Sequence, residues 1–466
     1  MSEFITIQVG QCGNQIGNCF WKCAVQEYGI DLFHYNRHSN SQQIPKLPGM
    51  FESFSSFFCC PENISCKSLS TISDLESANI KARALCIDME DSVVARFRKG
   101  SLRGLFNNDC LLTNYPGSGN NWAEGFFSHG SHHYEDISER IRKAVECCDG
   151  LHGFLLLYSL GGGTGSGLGS RVLSLLEDQY PHIDRLVTCV YPAGNEDVIT
   201  APYNVALATN ELIRNASCVF PVNNQALTEI CGRAKLGEAK DKTSRYFRDV
   251  NNIIVNMLLH LTSGARFPGS LNVDMNEIAT NLVPFPGMHF LTSSVSPLSS
   301  ITMKPPLPGC TTRVDDILSG TWARTNQLIK GDPLSGMVLG AALIVRGDAS
   351  LCDIRRNVEK LKKKVRFPSW NQDAVKVGMC SVAPPWHKLS ALGLFNSSSL
   401  ATLFEETSFQ FNKLFRRRAH IHHYTKVDGF EIASFFESLE QLQDIAEAYK
   451  GLETHQPVIP HRFKVL

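Results

Sequence analysis

The chain has 466 residues, and its 45 Lys+Arg are matched by 45 Asp+Glu, so its formal net charge is zero. That length allows two or three domains with real cores. Neutrality argues against a nucleic-acid binder held by phosphate charge, and the clusters Lys362-Lys363-Lys364 and Arg416-Arg417-Arg418 fall in helix-like stretches that read as solvated helical faces.

The opening segment predicts an amphipathic strand over Phe4–Val9, without the charged and then apolar pattern of a signal peptide. Gly10 to Asn14 breaks it, and Ile16, Phe20, Cys23 and Ala24 then share one helical face. Residues 31–80 are rich in Ser, Asn and Pro and read as a long loop with little regular structure. Cys59, Cys60 and Cys66 in it lack paired C-x-x-C spacing, which argues against zinc. Without a secretion signal, the 16 cysteines are expected as reduced thiols.

Ala84–Ile87, Phe154–Leu160, Leu186–Val190 and Cys218–Val222 read as buried strands, and a helix carrying Leu168, Val172, Leu175 and Leu176 follows the second of them. Strand–loop–helix repetition implies an α/β fold with a parallel sheet covered on both faces. Ligands bind such sheets at the carboxyl ends of strands. Residues 231–244 read as a surface insertion, and a helix over Asp249–Leu261 is apolar around most of its circumference, as expected between two domains. Further on come strands at Met288–Val295, Gly340–Val345, Val375–Val382 and Ala391–Phe395, a helix at Leu351–Lys363, and a final helical pair, Leu400–Arg416 and Ala433–Tyr449. The implied division is 1–244, 245–398 and 399–466. No apolar stretch is long enough to span a bilayer, so no membrane partner is expected.

The run Gly161-Gly162-Gly163-Thr164-Gly165-Ser166-Gly167 lies between a buried strand and a helix. Glycines let backbone N–H groups approach phosphate oxygens, and a helix N-terminus adds partial positive charge. A Walker A loop requires lysine after its last glycine, and here Leu168 follows Gly167. The dinucleotide pattern requires glycines at i, i+2 and i+5, and Ser166 or Leu168 occupies the last position. Neither common phosphate loop fits.

The run instead resembles the signature of the tubulin and bacterial division-GTPase superfamily. Gly10 to Gln15 resembles the first nucleotide loop of tubulins, and Asp88-Met89-Glu90 the second. Gly119 to Trp122 resembles the third, Asp197 to Asn204 the fifth, and Gly269 to Glu277 the seventh. Asn281–Pro286 and Phe415–Tyr424 extend the likeness to nearly the whole chain, and Gly17–Trp21, Cys86–Asp91, Gly117–Ala123, Glu196–Asn204, Asp353–Lys362 and Ala419–Tyr424 look most like the epsilon-tubulin branch. Delta-tubulin is the second choice.

The resemblance implies a Rossmann-type parallel-sheet nucleotide domain, a core helix, a smaller α/β intermediate domain and a C-terminal helical hairpin. It implies GTP or GDP with Mg2+ as cofactors. Gln11 and Cys12 would line phosphates and base, and Asn120 would approach the γ-phosphate. Ser159, Gly162, Gly163, Thr164 and Gly165 would hold the α- and β-phosphates. Asn224 and Asn251 would bond the guanine edge, and Phe247 would stack on it. Asp88 and Glu90 would face the magnesium through water. Three positions depart from α- and β-tubulin: Ala201 replaces a ribose-holding glutamate, Asn223 an aspartate, and Phe247 a tyrosine.

In this superfamily one subunit holds GTP and the next presents its seventh loop to it. Glu277 stands where α-tubulin carries the catalytic acid, with Asp274 as the secondary candidate, so the resemblance implies hydrolysis in trans. Implied partners are other tubulin-family subunits, among them delta-tubulin, and centriolar proteins, in a centriole or basal body. Residues 31–80, 231–244 and Pro297–Pro308 differ in composition from lattice-forming tubulin loops, and Pro457–Leu466 carries no acidic run, so weak tail-dependent motor binding and no ordinary microtubule incorporation are expected. A self-sufficient GTPase would need a catalytic residue inside the cradle, and none is found there. A non-hydrolysing pseudo-GTPase scaffold stays open, mildly favoured by Ala201.

Overall fold

The computed structural model describes residues 2–32, 53–61, 69–194, 198–233, 242–298, 313–384 and 387–454, the side chains of 242–246 and 454 excepted. Strands β1 (Glu3–Val9), β2 (Ala84–Asp88), β3 (Leu111–Thr113), β4 (Leu151–Ser159), β5 (Asp184–Tyr191) and β6 (Cys218–Asn223) form one sheet in the order β3-β2-β1-β4-β5-β6. Every pairing in it is parallel. All seven residues of β1 and all five of β2 are buried, as a sheet with both faces covered requires. Strand order reverses between β1 and β4, which opens a crevice at their carboxyl ends.

Helix α1 (Gly10–Glu27) leaves β1, α2 (Gly169–Gln179) follows the glycine run, and α3 (Ala201–Asn215) follows β5. Helix α4 (Asn224–Arg233) leaves β6, and α5 (Lys242–Leu261) crosses the middle of the molecule. Along α5, Val250, Ile253, Ile254, Val255, Met257, Leu258, Leu259 and Leu261 are buried in one core with α1 residues and with Ala342, Ile344, Leu392 and Leu394 of the second sheet. That sheet contains β7 (Thr292–Ser296), β8 (Val338–Gly347), β9 (Val375–Cys380) and β10 (Leu389–Ser397) in the order β9-β8-β10-β7. Helix α6 (Met275–Leu282) precedes it, and α7 (Ala401–Phe415) and α8 (Ala433–Thr454) pack on each other and on α3.

Several expectations need correction. Residues 31–80 are not without structure: Ile72–Ser77 is a helix whose capping box joins Thr71 Oγ1 to the Asp74 N–H and the Asp74 carboxylate to the Thr71 N–H. Phe57 and Phe58 in the same segment pack edge-on against the buried indole of Trp21. Residues 33–52 and 62–68, with Cys66, lie outside the described residues, as do 195–197, 234–241, 299–312 and 455–466. The strand expected from Met288 begins at Thr292, because Phe290 pairs instead with Val219 of β6. The basic clusters sit at helix C-termini rather than along faces: Lys363 caps Leu351–Lys362 and Arg416 caps α7. Cations there oppose the partial negative charge of the helix end. All described cysteines are free thiols, and no described helix is long and apolar enough to cross a membrane.

Two fully buried histidines report on the core. His260 of α5 bonds the Asn256 carbonyl at 2.7 Å and the Ser390 hydroxyl of β10. Burial, reinforced by the Arg346 charge, pushes its pKa down to about 3. His289 bonds the Leu212 carbonyl at 3.1 Å, and burial pushes it down to about 4. The unfolded chain binds protons at both rings near pH 6.5 while the folded chain does not, so stability falls as pH drops from 6.5 toward 4. We expect urea midpoints to decrease across this range. His289→Asn should remove a contribution to the slope worth on the order of 2 kcal/mol at pH 4.5. A wild-type midpoint independent of pH over the window would refute this assignment.

Candidate nucleotide site

Four loops leave the carboxyl ends of the parallel strands and meet at the crevice. After β1 the chain turns through Gly10, whose φ of +73° favours glycine, and a side chain there would come within 2.9 Å of the Gly165 nitrogen. The first loop therefore lies directly on the glycine run. The second half of the run forms a wide turn, Thr164–Leu168, that continues into α2. A Cβ on Gly167 would meet the Trp122 carbonyl at 2.2 Å, so the third loop is pressed against it. At Gly162 the only neighbour among the described residues is Asn120 Oδ1, 3.9 Å from where a Cβ would stand. Open space in the cradle thus lies between Gly162 and Asn120, on the side of the helix N-terminus that attracts anions.

One side chain holds these loops together. Asn204 of α3 is fully buried and donates from Nδ2 to the Asn120 and Gly161 carbonyls, each at 2.9 Å. Its Oδ1 accepts from the Trp122 N–H at 3.0 Å and from the Tyr424 hydroxyl at 2.6 Å. Thr200 Oγ1 adds a bond to the Asn120 carbonyl at 3.0 Å, and Ser118 and Thr164 share a hydroxyl contact at 3.0 Å. Asn14 does the same for the first two loops, donating to the Gly10 and Ile87 carbonyls at 2.9 Å. Neither asparagine was singled out by sequence reasoning. The signal was an asparagine facing the interior of an otherwise apolar helix, within Tyr203-Asn204-Val205-Ala206-Leu207.

Asp88 ends β2 and is buried, and its Oδ2 has no hydrogen-bond partner among the described residues. Burial and then the Glu90 charge push its pKa up to about 7, against two backbone N–H bonds that favour the carboxylate. Glu90 Oε1 stands 3.1 Å from where a Gly117 Cβ would be. No group of three or more His, Cys, Asp or Glu among the described residues forms a metal cage. An orphaned carboxylate oxygen with a second acid nearby fits Mg2+, which keeps several waters and takes its remaining ligands from phosphates.

Gln11 and Cys12 occupy the first turn of α1, and Asn224 starts α4. Both helices pack against α5, which carries Phe247, 55 % exposed, and the buried Asn251. Asn223 Oδ1 accepts from the Gln225 and Ala226 N–H groups at 2.8 and 3.3 Å, so it caps α4. Asparagine caps as well as aspartate does, and this departure leaves the local structure intact.

Glu277 and Asp274 are elsewhere. Asp274 caps α6, accepting from the Glu277 N–H at 2.8 Å and from Ser2 Oγ at 3.1 Å. Glu277 pairs with Lys376 Nζ at 2.6 Å and is half exposed. The next residue back, Asn276, donates to the carbonyl of His152, the second residue of β4, at 2.8 Å. Ser159 ends the same strand beside the cradle, with its Oγ 3.2 Å from a Gly165 Cβ position. At about 3.3 Å per residue, the seven steps from His152 to Ser159 span roughly 23 Å, so α6, which carries the acid, and the cradle lie at opposite ends of one strand.

A model for the Tubulin/FtsZ family GTPase domain matches residues 3–232, and one for the tubulin C-terminal domain matches residues 286–408. The "Tubulin epsilon chain" of Mus musculus is 41% identical over 97% of this chain and 96% of its own length. The chain belongs to the tubulin family. The Homo sapiens epsilon chain is 40% identical over the same shares, and the "Tubulin alpha-3 chain" of Saccharomyces cerevisiae is 34% identical over 96% of this chain and 97% of its own. This is a tubulin-family protein with a GTPase domain, closely related to epsilon-tubulin chains, and family membership carries nucleotide binding in general.

Asn204→Ala would strip partners from the Asn120 and Gly161 carbonyls, the Trp122 N–H and the Tyr424 hydroxyl together. We expect a loss of roughly 2–4 kcal/mol in urea unfolding, with faster release of bound nucleotide. An unchanged midpoint would show that water replaces the side chain without cost.

Proposed function

We propose that this chain is an epsilon-tubulin-like structural subunit that binds GTP or GDP with Mg2+ and completes a neighbour's site in trans through Glu277. The observation that carries the reading is the opposition of cradle and acid along β4. A rigid strand cannot bring its own two ends together, whereas a second subunit stacked head to tail sets the acid of one over the cradle of the next. Such heterologous stacking generates open filaments.

Within the cradle, backbone N–H groups of Gly162 to Gly165 and the Asn120 side chain orient the phosphates, while Asn224, Asn251 and Phe247 select the base, with Gln11 and Cys12 beside them. Asp88 and Glu90 would hold Mg2+ through its water shell, where the ion would supply charge neutralisation on the phosphate oxygens. Glu277 orients the attacking water and accepts its proton, and Asp274 keeps the α6 N-terminus in place beneath it. The partly exposed pair with Lys376 is worth at most about 1 kcal/mol, so an arriving subunit displaces it readily. Partners on this reading are other tubulin-family subunits, including delta-tubulin, and centriolar proteins. The cytoskeletal setting at centrioles or basal bodies, supporting doublet and triplet microtubules, follows the epsilon-branch likeness. A non-hydrolysing scaffold is the second reading, favoured by alanine at 201.

Nucleotide released by denaturing native protein and separated by chromatography should be guanine nucleotide at one equivalent. Turnover per subunit should rise with protein concentration, and Glu277→Ala should lower it by about 100-fold or more without changing nucleotide content. Turnover that survives dilution would overturn the trans assignment. Folded protein without guanine nucleotide would sink the cofactor assignment and leave the scaffold.

A further inference from the structure

We propose that the segment 416–426, with the cavity beside it, is a docking site for an acidic peptide segment of a partner protein. Docking there requires no bound nucleotide, so the site goes beyond the guanine-nucleotide reading and is tested separately from it.

The segment departs from the charge balance of the chain. Arg416, Arg417, Arg418, His420, His422, His423 and Lys426 follow one another with no acid before Asp428, although the formal net charge of the whole chain is zero. Arg416 caps α7, where the helix end attracts a cation. Arg417, Arg418 and Lys426 are exposed, and none of them forms an ion pair among the described residues. The backbone is held in place: Arg418 and His420 have φ of +51° and +60°, a region that residues with side chains enter rarely and keep only where their surroundings enforce it. Those surroundings are the cradle loops. The Ala419 carbonyl accepts from the Tyr203 hydroxyl at 2.9 Å, the His423 carbonyl accepts from Asn121 Nδ2 at 3.0 Å, and the Tyr424 hydroxyl turns inward to Asn204 at 2.6 Å. These ties use backbone carbonyls and one phenol, and the cationic side chains retain their own donors.

His420, His423 and Lys426 line a cavity of about 550 Å³ together with Asn121, Ile199 and Val427. Glu124 is the acid among its described lining residues, and Lys426 offsets that charge. The excess positive charge therefore lies at the rim, on Arg417 and Arg418, two and three residues before His420. Guanidinium forks match carboxylates two bonds at a time. Beside them Ile199, 64% exposed, and the Asn121 amide offer a recess for an uncharged side chain. An acidic peptide with an apolar residue in it meets both features. A nucleic acid or an anionic membrane needs positive charge spread over a wide face. Here the charge is confined to one short segment, and the exposed acids Asp428, Glu431 and Glu437 follow it. Residues 455–466 of the chain itself contain no acid and lack the charge to be the occupant.

The test is fluorescence anisotropy of a fluorescein-labelled peptide, glutamates around a central leucine, titrated with the full chain. Binding should saturate at low salt and weaken by about tenfold or more as NaCl rises from about 50 to about 300 mM. Arg417→Glu combined with Arg418→Glu should weaken it by about tenfold or more, and so should Lys426→Glu combined with Ile199→Glu at the recess. Reversing the other basic cluster, through Lys363→Glu with Lys364→Glu, should leave affinity within about twofold, since charges beyond a Debye length are screened. Urea midpoints check that each variant is folded, and Arg417→Gln with Arg418→Gln, expected to cost about threefold or more, serves where charge reversal disturbs the fold. Absence of saturable binding overturns the proposal, as does a loss at Lys363 and Lys364 equal to that at the arginines, or affinity unmoved by the recess pair. Phosphatidylserine vesicles or a single-stranded oligonucleotide bound more tightly than the peptide, through the same arginines, would assign the patch to another polyanion and overturn it. Self-association abolished by the same substitutions would assign the patch to a second copy of the chain and overturn it too.

Discussion

Between β1 and β4 the sheet reverses the direction in which strands are added, and the site depends on that reversal. Helices that follow β1 and β4 must cover opposite faces of the sheet, so their connecting loops diverge and leave a cleft at the strand ends. The glycine run can be short and tightly packed because it only has to bridge Ser159 to α2 at that cleft. The first loop can touch it because β1 and β4 are direct neighbours. Parallel pairing also gives the sheet a direction, with the loops of the crevice at one end and α6 at the other.

A second constraint fixes the rest of the molecule to this frame. Glu27, at the end of α1, bonds Arg266 at 2.6 Å and Arg346 of β8 at 2.8 Å, with all three side chains almost fully buried. Burial pushes the Glu27 carboxyl up, but the two guanidinium groups outweigh it and hold the acid below its ordinary range. Both arginines also bond the Leu259 carbonyl of α5. First helix, core helix and second sheet thus share one buried charge cluster. Removing a single member of such a cluster leaves an uncompensated charge in the interior, at a cost of about 3–5 kcal/mol. This geometry makes α5 a fixed platform for Asn251 and Phe247.

Long buried strands were legible in the sequence because each reads as an apolar run: Phe4–Val9, Ala84–Ile87 and Phe154–Leu160 all fall within observed strands or a residue beyond them. Three-residue β3 was not, because Leu111–Thr113 is too short to show a period. The helix at Ile72–Ser77 was hidden in a Ser-rich segment, although Thr71 and Asp74 have capping-box spacing. At Met288–Val295 the apolar run was real, but half of it serves β6 through Phe290 rather than the second sheet. The glycine cradle was legible as chemistry. Asn204 and Asn14 were not, since their partners are backbone atoms brought near only by folding. Glu277 is a candidate solely through family likeness, because nothing in its spacing distinguishes it from any acid in the first turn of a helix.

The Tyr424 hydroxyl ends on the same oxygen of Asn204 that receives the Trp122 amide. Tyr203, one residue before, is ringed by Phe411, Tyr424 and Phe435 from the hairpin side and donates to the Ala419 carbonyl. The C-terminal helices are therefore keyed into the cradle from behind, like the bolt of a lock whose keyhole opens on another face. Asn121 Nδ2 adds a second tie, donating to the His423 carbonyl at 3.0 Å, so a displacement of that outer surface reaches the third loop through two adjacent side-chain contacts.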